Sequence, residues 1–183
     1  SRKDSLEIAQ LYKYQNKAHY QLGDYLEAIK NAKSGLDYCT TNTEEGRLLK
    51  GQLYSDKASS ENYTGKDRST FNSTLNAIKY LTSVQNPDYD YLITSYRYVS
   101  EQCAFHGNID DAKMYMRRAE DLYFDNKEVI DKMVTDASGY RHKYEIILAY
   151  SKIYQLYQYG KSPSDSLALI DTFKRLETYS QGT

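Results

Sequence analysis

Two stretches of equal length decide the fold of this chain. Residues 12–40 read YKYQNKAHYQLGDYLEAIKNAKSGLDYCT, and residues 96–124 read YRYVSEQCAFHGNIDDAKMYMRRAEDLYF. Each begins with a tyrosine and has a glycine eleven residues later, Gly23 in the first and Gly107 in the second, with an alanine five residues beyond. The glycines are 84 residues apart (107 − 23). This spacing suits tandem helix-turn-helix repeats that are longer than the usual ~34 residues.

Composition indicates a folded chain with a core. Of the 183 residues, 40% are hydrophobic and 27% charged, which is outside the range of disordered chains. The net charge of −1 predicts no broad attraction to nucleic acid or to an anionic membrane. No apolar run approaches the ~18 residues of a membrane span, and no signal peptide is visible. Because the chain begins at Ser1 without a methionine, we expect it to be a fragment of a longer protein. The sequence does not indicate its cellular compartment.

Hydrophobic periodicity of about 3.6 residues runs through nearly the whole chain, while strand-like alternation is almost absent. The sequence therefore predicts an all-α fold. Gly23 is expected to end the first helix and Asp24 to cap the second. Asn42 is expected to cap the third, and Ser162, before a proline, the last. The polar segment 61–69 reads as a loop.

The segment 127–159 is periodic throughout except for Ser138-Gly139. The phase of its apolar residues continues through this glycine, which favours one long helix with a weak point. Two helices broken at that point are the alternative.

The first stretch resembles a tetratricopeptide repeat. The family has an aromatic residue early in its first helix, Gly-Asp-Tyr at the turn and a small residue early in its second helix. The matching residues are Tyr12, Gly23, Asp24, Tyr25 and Ala28, and in the second stretch Tyr96, Gly107, Asn108, Ile109, Ala112 and Ala119. The chain departs from the family at its mid-helix glycine, which is Asn16 and Ser100 here.

The resemblance implies a right-handed α-solenoid of about four antiparallel helical hairpins. One repeat domain would cover residues 1–183, with units at about 5–40, 43–85, 88–126 and 128–180. In the family, the first helices of the repeats line a concave groove that binds a peptide. The corresponding groove residues here are Lys13, Tyr14, Lys17, Tyr20, Gln52, Arg97, Tyr98, Glu101, Tyr150 and Tyr154. Their basic and tyrosine side chains predict a partner with some acidic character. The alternative is a solvated face with scattered tyrosines.

The residues that usually carry chemistry lack the required spacing. The three histidines are scattered, and no C-x-x-C or H-x-x-x-H pair exists, so we expect no metal site and no cofactor. Cys103 falls on an apolar stripe and is expected to be buried, whereas Cys39 lies near a helix end, a position that leaves its exposure open. No phosphate loop or nucleophile motif is present, and we expect no enzyme.

The sequence therefore predicts a non-catalytic helical module that binds a protein or a peptide and no nucleic acid. Its tyrosine-, lysine- and asparagine-rich style resembles the repeat regions of bacterial signalling proteins, which implies the interaction part of a larger bacterial regulator. A small-molecule or lipid-binding domain is one alternative, and a closed apolar pocket would favour it. A structural scaffold that forms a homodimer or larger oligomer is another. It would be favoured by an exposed apolar stripe of Leu169, Phe173 and Leu176 on the last helix.

Overall fold

The computed structural model describes residues 2–138 and 143–180, which are 84% helical and contain no strand. The prediction of an all-α fold is confirmed. The described residues form α1 Arg2–Gln21, α2 Tyr25–Tyr38, α3 Glu44–Asn62, α4 Asp67–Leu81, α5 Tyr89–Phe105, α6 Ile109–Asp125, α7 Lys127–Ser138, α8 Lys143–Tyr159 and α9 Pro163–Ser180.

The chain divides into two compact units, residues 1–95 and 96–183, with the boundary inside α5. In the first unit, α1 packs against α2 and α3, α2 packs against α3, and α3 packs against α4. Its core is built from small and branched side chains such as Ala28, Leu53 and Leu81. In the second unit, α8 packs against α6 and α9, and α6 also packs against α7. That residues 1–183 form one repeat domain stays a prediction.

The two glycine turns have the same geometry. Gly23 and Gly107 have φ of 78° and 81°, in the left-handed region that favours glycine at a helix end. The next residue opens the following helix, Asp24 with φ −85° and ψ 68° and Asn108 with φ −85° and ψ 69°. The Asp24 carboxylate accepts a hydrogen bond from the backbone N–H of Glu27, as its predicted capping role requires. The two turns, 84 residues apart in sequence, therefore have the same backbone conformation, one in each unit.

A buried side chain holds the helix pair together beside each turn. Asn16 Nδ2 donates a hydrogen bond of 2.7 Å to the carbonyl of Ala28. Ser100 Oγ donates one of 2.6 Å to the carbonyl of Ala112. Asn16 and Ser100 are also 84 positions apart. Both alanines are buried, as their role as small contact residues predicts.

Two local predictions are corrected. The third helix is capped by Thr43, not Asn42, because the Thr43 hydroxyl accepts the backbone N–H of Gly46 at 3.2 Å. The segment 61–69 is not all loop, since Glu61 belongs to α3 and is buried. Its carboxylate accepts Ser73 Oγ at 2.7 Å and pairs with Lys57 Nζ at 2.7 Å. Partners supplied by another turn of α3 and by α4 make this polar residue an internal one.

The predicted long helix over 127–159 is described as α7, ending at Ser138, and α8, starting at Lys143. Residues 139–142, which include His142, lie outside the described residues. The choice between one helix and two therefore stays a prediction.

Candidate functional site

A groove runs between α1 and α3 in the first unit and has a volume of about 760 Å³. Its floor and walls are mainly apolar, and two of its residues are strongly exposed: Leu11 is 61% accessible and Tyr14 is 59% accessible. The residues that line it are Leu6, Glu7, Gln10, Leu11, Tyr14, Glu45, Leu48, Leu49 and Gln52. Because these large apolar side chains remain in contact with water, the groove is open and can accept an occupant.

The register of the two helices explains why a groove forms. Along α1 the lining residues recur every three or four positions, and along α3 they do the same, so each helix turns one face to the groove. Lys13 contacts Gln52 at one end of the groove, and beyond it residues 16–21 of α1 line a cavity with residues 56 and 59 of α3. Residue numbers therefore rise in the same direction along both helices. Helices that meet in such a register present two parallel rows of side chains to an extended or helical segment.

Lys13 is not among the residues that line the groove. Its side chain is only 7% exposed and donates a hydrogen bond to Gln52 Oε1. Gln52 Nε2 in turn donates to Asp88 Oδ2 at 2.8 Å. Burial lowers the pKa of Lys13, although the nearby Asp56 carboxylate opposes this shift. Lys13 is therefore a buried polar contact that ties α1 to α3.

A second cavity, of about 280 Å³, follows along the same two helices. Its lining includes Lys17, Tyr20 and Asp56. Asp56 Oδ2 accepts a hydrogen bond of 3.2 Å from the hydroxyl of Tyr91, and the ammonium groups of Lys13 and Lys17 lie 5.3 and 5.2 Å from the centroid of the Tyr91 ring. Burial raises the pKa of Asp56 to about 6, despite the opposing charges of Lys17 and Lys13 and the hydrogen bond from Tyr91.

In the second unit, three of the predicted groove residues, Arg97, Tyr98 and Glu101, are joined by contacts of Arg97. Arg97 is half-buried, pairs with Glu101 at 2.7 Å, and lies 4.7 Å from the centroid of the Tyr98 ring. Glu101 also accepts Ser151 Oγ at 3.3 Å. Tyr150 and Tyr154 are exposed on α8. The charges of Arg97 and Glu101 thus compensate each other within the unit.

A further cavity of about 280 Å³ lies between α6, α8 and α9. Two of its cations are paired, Lys113 with Asp165 at 2.5 Å and Lys152 with Glu120 at 3.0 Å. The backbone N–H groups of Lys161 and Ser162 also donate hydrogen bonds to the Asp165 carboxylate, so its negative charge is compensated although the residue is buried. These contacts fix the start of α9, and the predicted cap at Ser162 is confirmed by its hydrogen bond to the N–H of Asp165 at 3.2 Å.

The structure thus brings together part of the predicted site. Tyr14 and Gln52 line the larger groove of the first unit, and Lys17 and Tyr20 line the smaller cavity. Lys13 is buried against Gln52, and the half-buried Arg97 is paired with Glu101. That these two cations contact a partner stays a prediction. Whether residues of the two units share one groove stays a prediction.

Sequence reasoning missed Glu7, Leu11, Glu45 and Asp56. Counting back from each turn glycine reaches only the half of each first helix that lies near the turn. Helical spacing from the predicted residues would have found the others, because Asp56 lies four positions after Gln52 and Leu11 three before Tyr14. Tyr91 could not be found in this way, since only tertiary packing places it beside Asp56.

The remaining candidate residues have structural surroundings. Cys39, whose exposure the sequence left open, is buried, and its thiol lies 3.2 Å from the carbonyl oxygen of Gly46. Cys103 is buried as predicted. Among residues 2–138 and 143–180, no three histidine, cysteine or acidic side chains are grouped to hold a metal ion. No helix among the same residues has the length and apolar character needed to cross a membrane.

No family model, no curated protein and no solved structure matches this chain.

Proposed function

We propose that this chain is a non-catalytic helical repeat module that binds a peptide segment of another protein in the groove between α1 and α3. The observation that carries the proposal is the groove itself, where Leu11 and Tyr14 remain exposed above an apolar floor. Covering these side chains would remove apolar surface from water, which is the main driving force of such binding.

The proposal includes a tetratricopeptide-like solenoid of about four antiparallel helical hairpins. Two features support it: the two turns have the same backbone angles, and Asn16 and Ser100 make corresponding hydrogen bonds to Ala28 and Ala112. The parallel register of α1 and α3 is also what adjacent repeats require, because their first helices run in the same direction.

A peptide fits the groove better than a small apolar molecule does. Small ligands are usually enclosed over most of their surface by a concave pocket. Here Leu11 and Tyr14 are exposed at the side of the groove, and the lining residues of α1 extend from Leu6 to Tyr14, about two and a half turns. A segment that lies along the helices would contact the whole row, whereas a small molecule would leave most of it uncovered.

The non-catalytic part of the proposal rests on the surroundings of Asp56. A half-buried carboxylate with a raised pKa is a candidate acid or base. Asp56, however, already accepts a hydrogen bond from the Tyr91 hydroxyl, and the ammonium groups of Lys13 and Lys17 lie over the ring of the same tyrosine. This arrangement accounts for the carboxylate as part of a polar network that connects α1, α3 and the start of α5.

Selection from a random peptide library displayed on phage tests the proposal. Selected peptides should bind the chain, and the double variant Leu11→Ser/Tyr14→Ser should weaken them about tenfold or more, because burial of such side chains contributes ~1.5–3 kcal/mol each. Fluorescence anisotropy measures the affinities. Leu26→Ser is the matched control, since Leu26 on α2 is 65% exposed and lies outside the groove.

Surface substitutions of this kind change stability by only about ±0.5 kcal/mol, so the variants should remain folded. Selected peptides that bind both variants with the affinity of the parent chain would show that the groove is not the binding surface. A selection that yields no peptide would count against the function itself.

A second candidate function is a structural scaffold, and α9 favours it. Leu167, Ile170 and Phe173 are each at least half exposed and recur every three residues on this helix. The expected stripe was Leu169, Phe173 and Leu176, of which only Phe173 is exposed. A second copy of the chain could cover the observed stripe in a homodimer.

A further inference from the structure

The charge of the α1/α3 groove is one-sided. Of the described residues that line it, only Glu7 and Glu45 are charged, and both are exposed. The other polar members are the amides Gln10 and Gln52. The groove therefore offers carboxylates and amides around an apolar floor.

Lys13 and Lys17, the lysines of the predicted site, are not among the residues that line this groove. Lys13 is buried and donates its hydrogen bond to Gln52. Lys17 lines the separate smaller cavity, where its ammonium lies over the Tyr91 ring and interacts with Asp56. The cations that sequence spacing assigned to a groove thus lie outside the lining of the larger one.

The apolar part of the groove sets the second requirement on an occupant. Leu49 is buried and Leu6 and Leu48 are half-buried, so they form a floor that is already packed. Leu11 and Tyr14 rise beside it and are the side chains that an occupant would cover. An occupant must therefore bring apolar side chains as well as charge.

We infer that the groove binds an amphipathic peptide segment whose apolar side chains cover Leu11 and Tyr14 and whose lysine or arginine side chains face Glu7 and Glu45. This inference rests on the proposed function and specifies its partner. It reverses the acidic partner expected from the sequence, because the groove presents carboxylates where lysines were expected. Opposite charges at the rim contribute mainly to selectivity and to the rate of association.

Two synthetic peptides of equal length test the inference. They share the same leucine positions and differ only in carrying lysine or glutamate at the remaining positions. By fluorescence anisotropy, the lysine peptide should bind at least about tenfold more tightly than the glutamate peptide, and its affinity should fall as salt screens the exposed carboxylates.

Matched variants assign the preference to the groove. Glu7→Gln/Glu45→Gln should weaken the lysine peptide about three- to tenfold, since exposed pairs contribute modestly. Asp37→Asn/Asp121→Asn changes the net charge equally at exposed positions outside the groove and should leave the affinity unchanged. Leu11→Ser/Tyr14→Ser should weaken the lysine peptide at least about tenfold, and Leu26→Ser should not.

The inference is overturned if the glutamate peptide binds as tightly as the lysine peptide, if neither binds, or if the Glu7/Glu45 variant behaves like its control. The proposed function survives those results when a peptide, synthetic or selected from the library, still depends on Leu11 and Tyr14. It fails together with the inference when no peptide depends on them.

Discussion

The Asp56 carboxylate interacts with side chains from two other helices. It lies on α3, accepts a hydrogen bond from Tyr91 on α5 and interacts with the charges of Lys13 and Lys17 on α1. Burial disfavours its ionised form more than these partners favour it, and its pKa rises to about 6. The group therefore costs stability at neutral pH, where it must ionise inside the folded protein.

This shift has a definite sign with respect to pH. The pKa of Asp56 in the folded protein is above the ordinary value of 3.8, so the folded state binds the proton more tightly. The contribution of Asp56 to the free energy of unfolding should be lost as pH rises through about 4 to 6, with a magnitude of about 2–3 kcal/mol. Asp56→Asn should gain stability relative to the parent chain over this range.

Urea denaturation of both proteins at several pH values measures the difference. Asp37→Asn, at an exposed position on α2, is the control and should show a much smaller change with pH. A constant difference between Asp56→Asn and the parent from pH 4 to 7 would mean that the carboxylate titrates normally and that its burial is less than described.

At the scale of elements, close helix pairing depends on small residues beside each turn. Ala28 is fully buried where α2 meets α1, and its carbonyl accepts the Asn16 side chain. Ala112 and Ser100 repeat this contact between α6 and α5. A small side chain lets the backbones approach closely enough for a short polar side chain to reach across.

Ala28→Leu should overpack the contact between α1 and α2 and lower the free energy of unfolding by about 1–3 kcal/mol. Ala18→Leu is the control, because Ala18 is exposed on α1. Alanine and leucine have similar helix propensities, so this substitution should change the free energy of unfolding little. Denaturant melts compare the two variants. Equal stability of both would show that the α1–α2 contact is looser than described. Ala112→Leu repeats the test in the second unit.

At the scale of the whole molecule, the two compact units carry different kinds of exposed surface. The first has the α1/α3 groove, with two carboxylates and an apolar floor. The second has the α9 stripe of Leu167, Ile170 and Phe173. A continuous apolar row on one helix is a common feature of surfaces that are covered by another protein chain.

If a second copy covers α9, the chain should dimerise with rising concentration. Ile170→Glu/Phe173→Glu should then shift the population to monomer, because a charge placed in an apolar interface is left without a partner. Sedimentation equilibrium measures the molecular mass. Leu26→Glu, which places the charge on an exposed site of α2, is the control. A chain that stays monomeric at all concentrations would argue against the homodimer.

Much of this architecture follows from the sequence because its causes are local. Helical periodicity, the glycines at positive φ and the caps at Asp24 and Ser162 depend on residues within one or two turns, so their types and spacing are sufficient. The burial of Ala28 and Ala112 follows from the spacing of the turn motif. Tertiary structure alone decided the state of the charged side chains. Lys13 and Glu61 look exposed in sequence, yet side chains on other helices contact them and they are buried: Gln52 and Tyr91 for Lys13, and Ser73 for Glu61. The free energy of a charge depends on its neighbours in space, and those are set only when the helices pack.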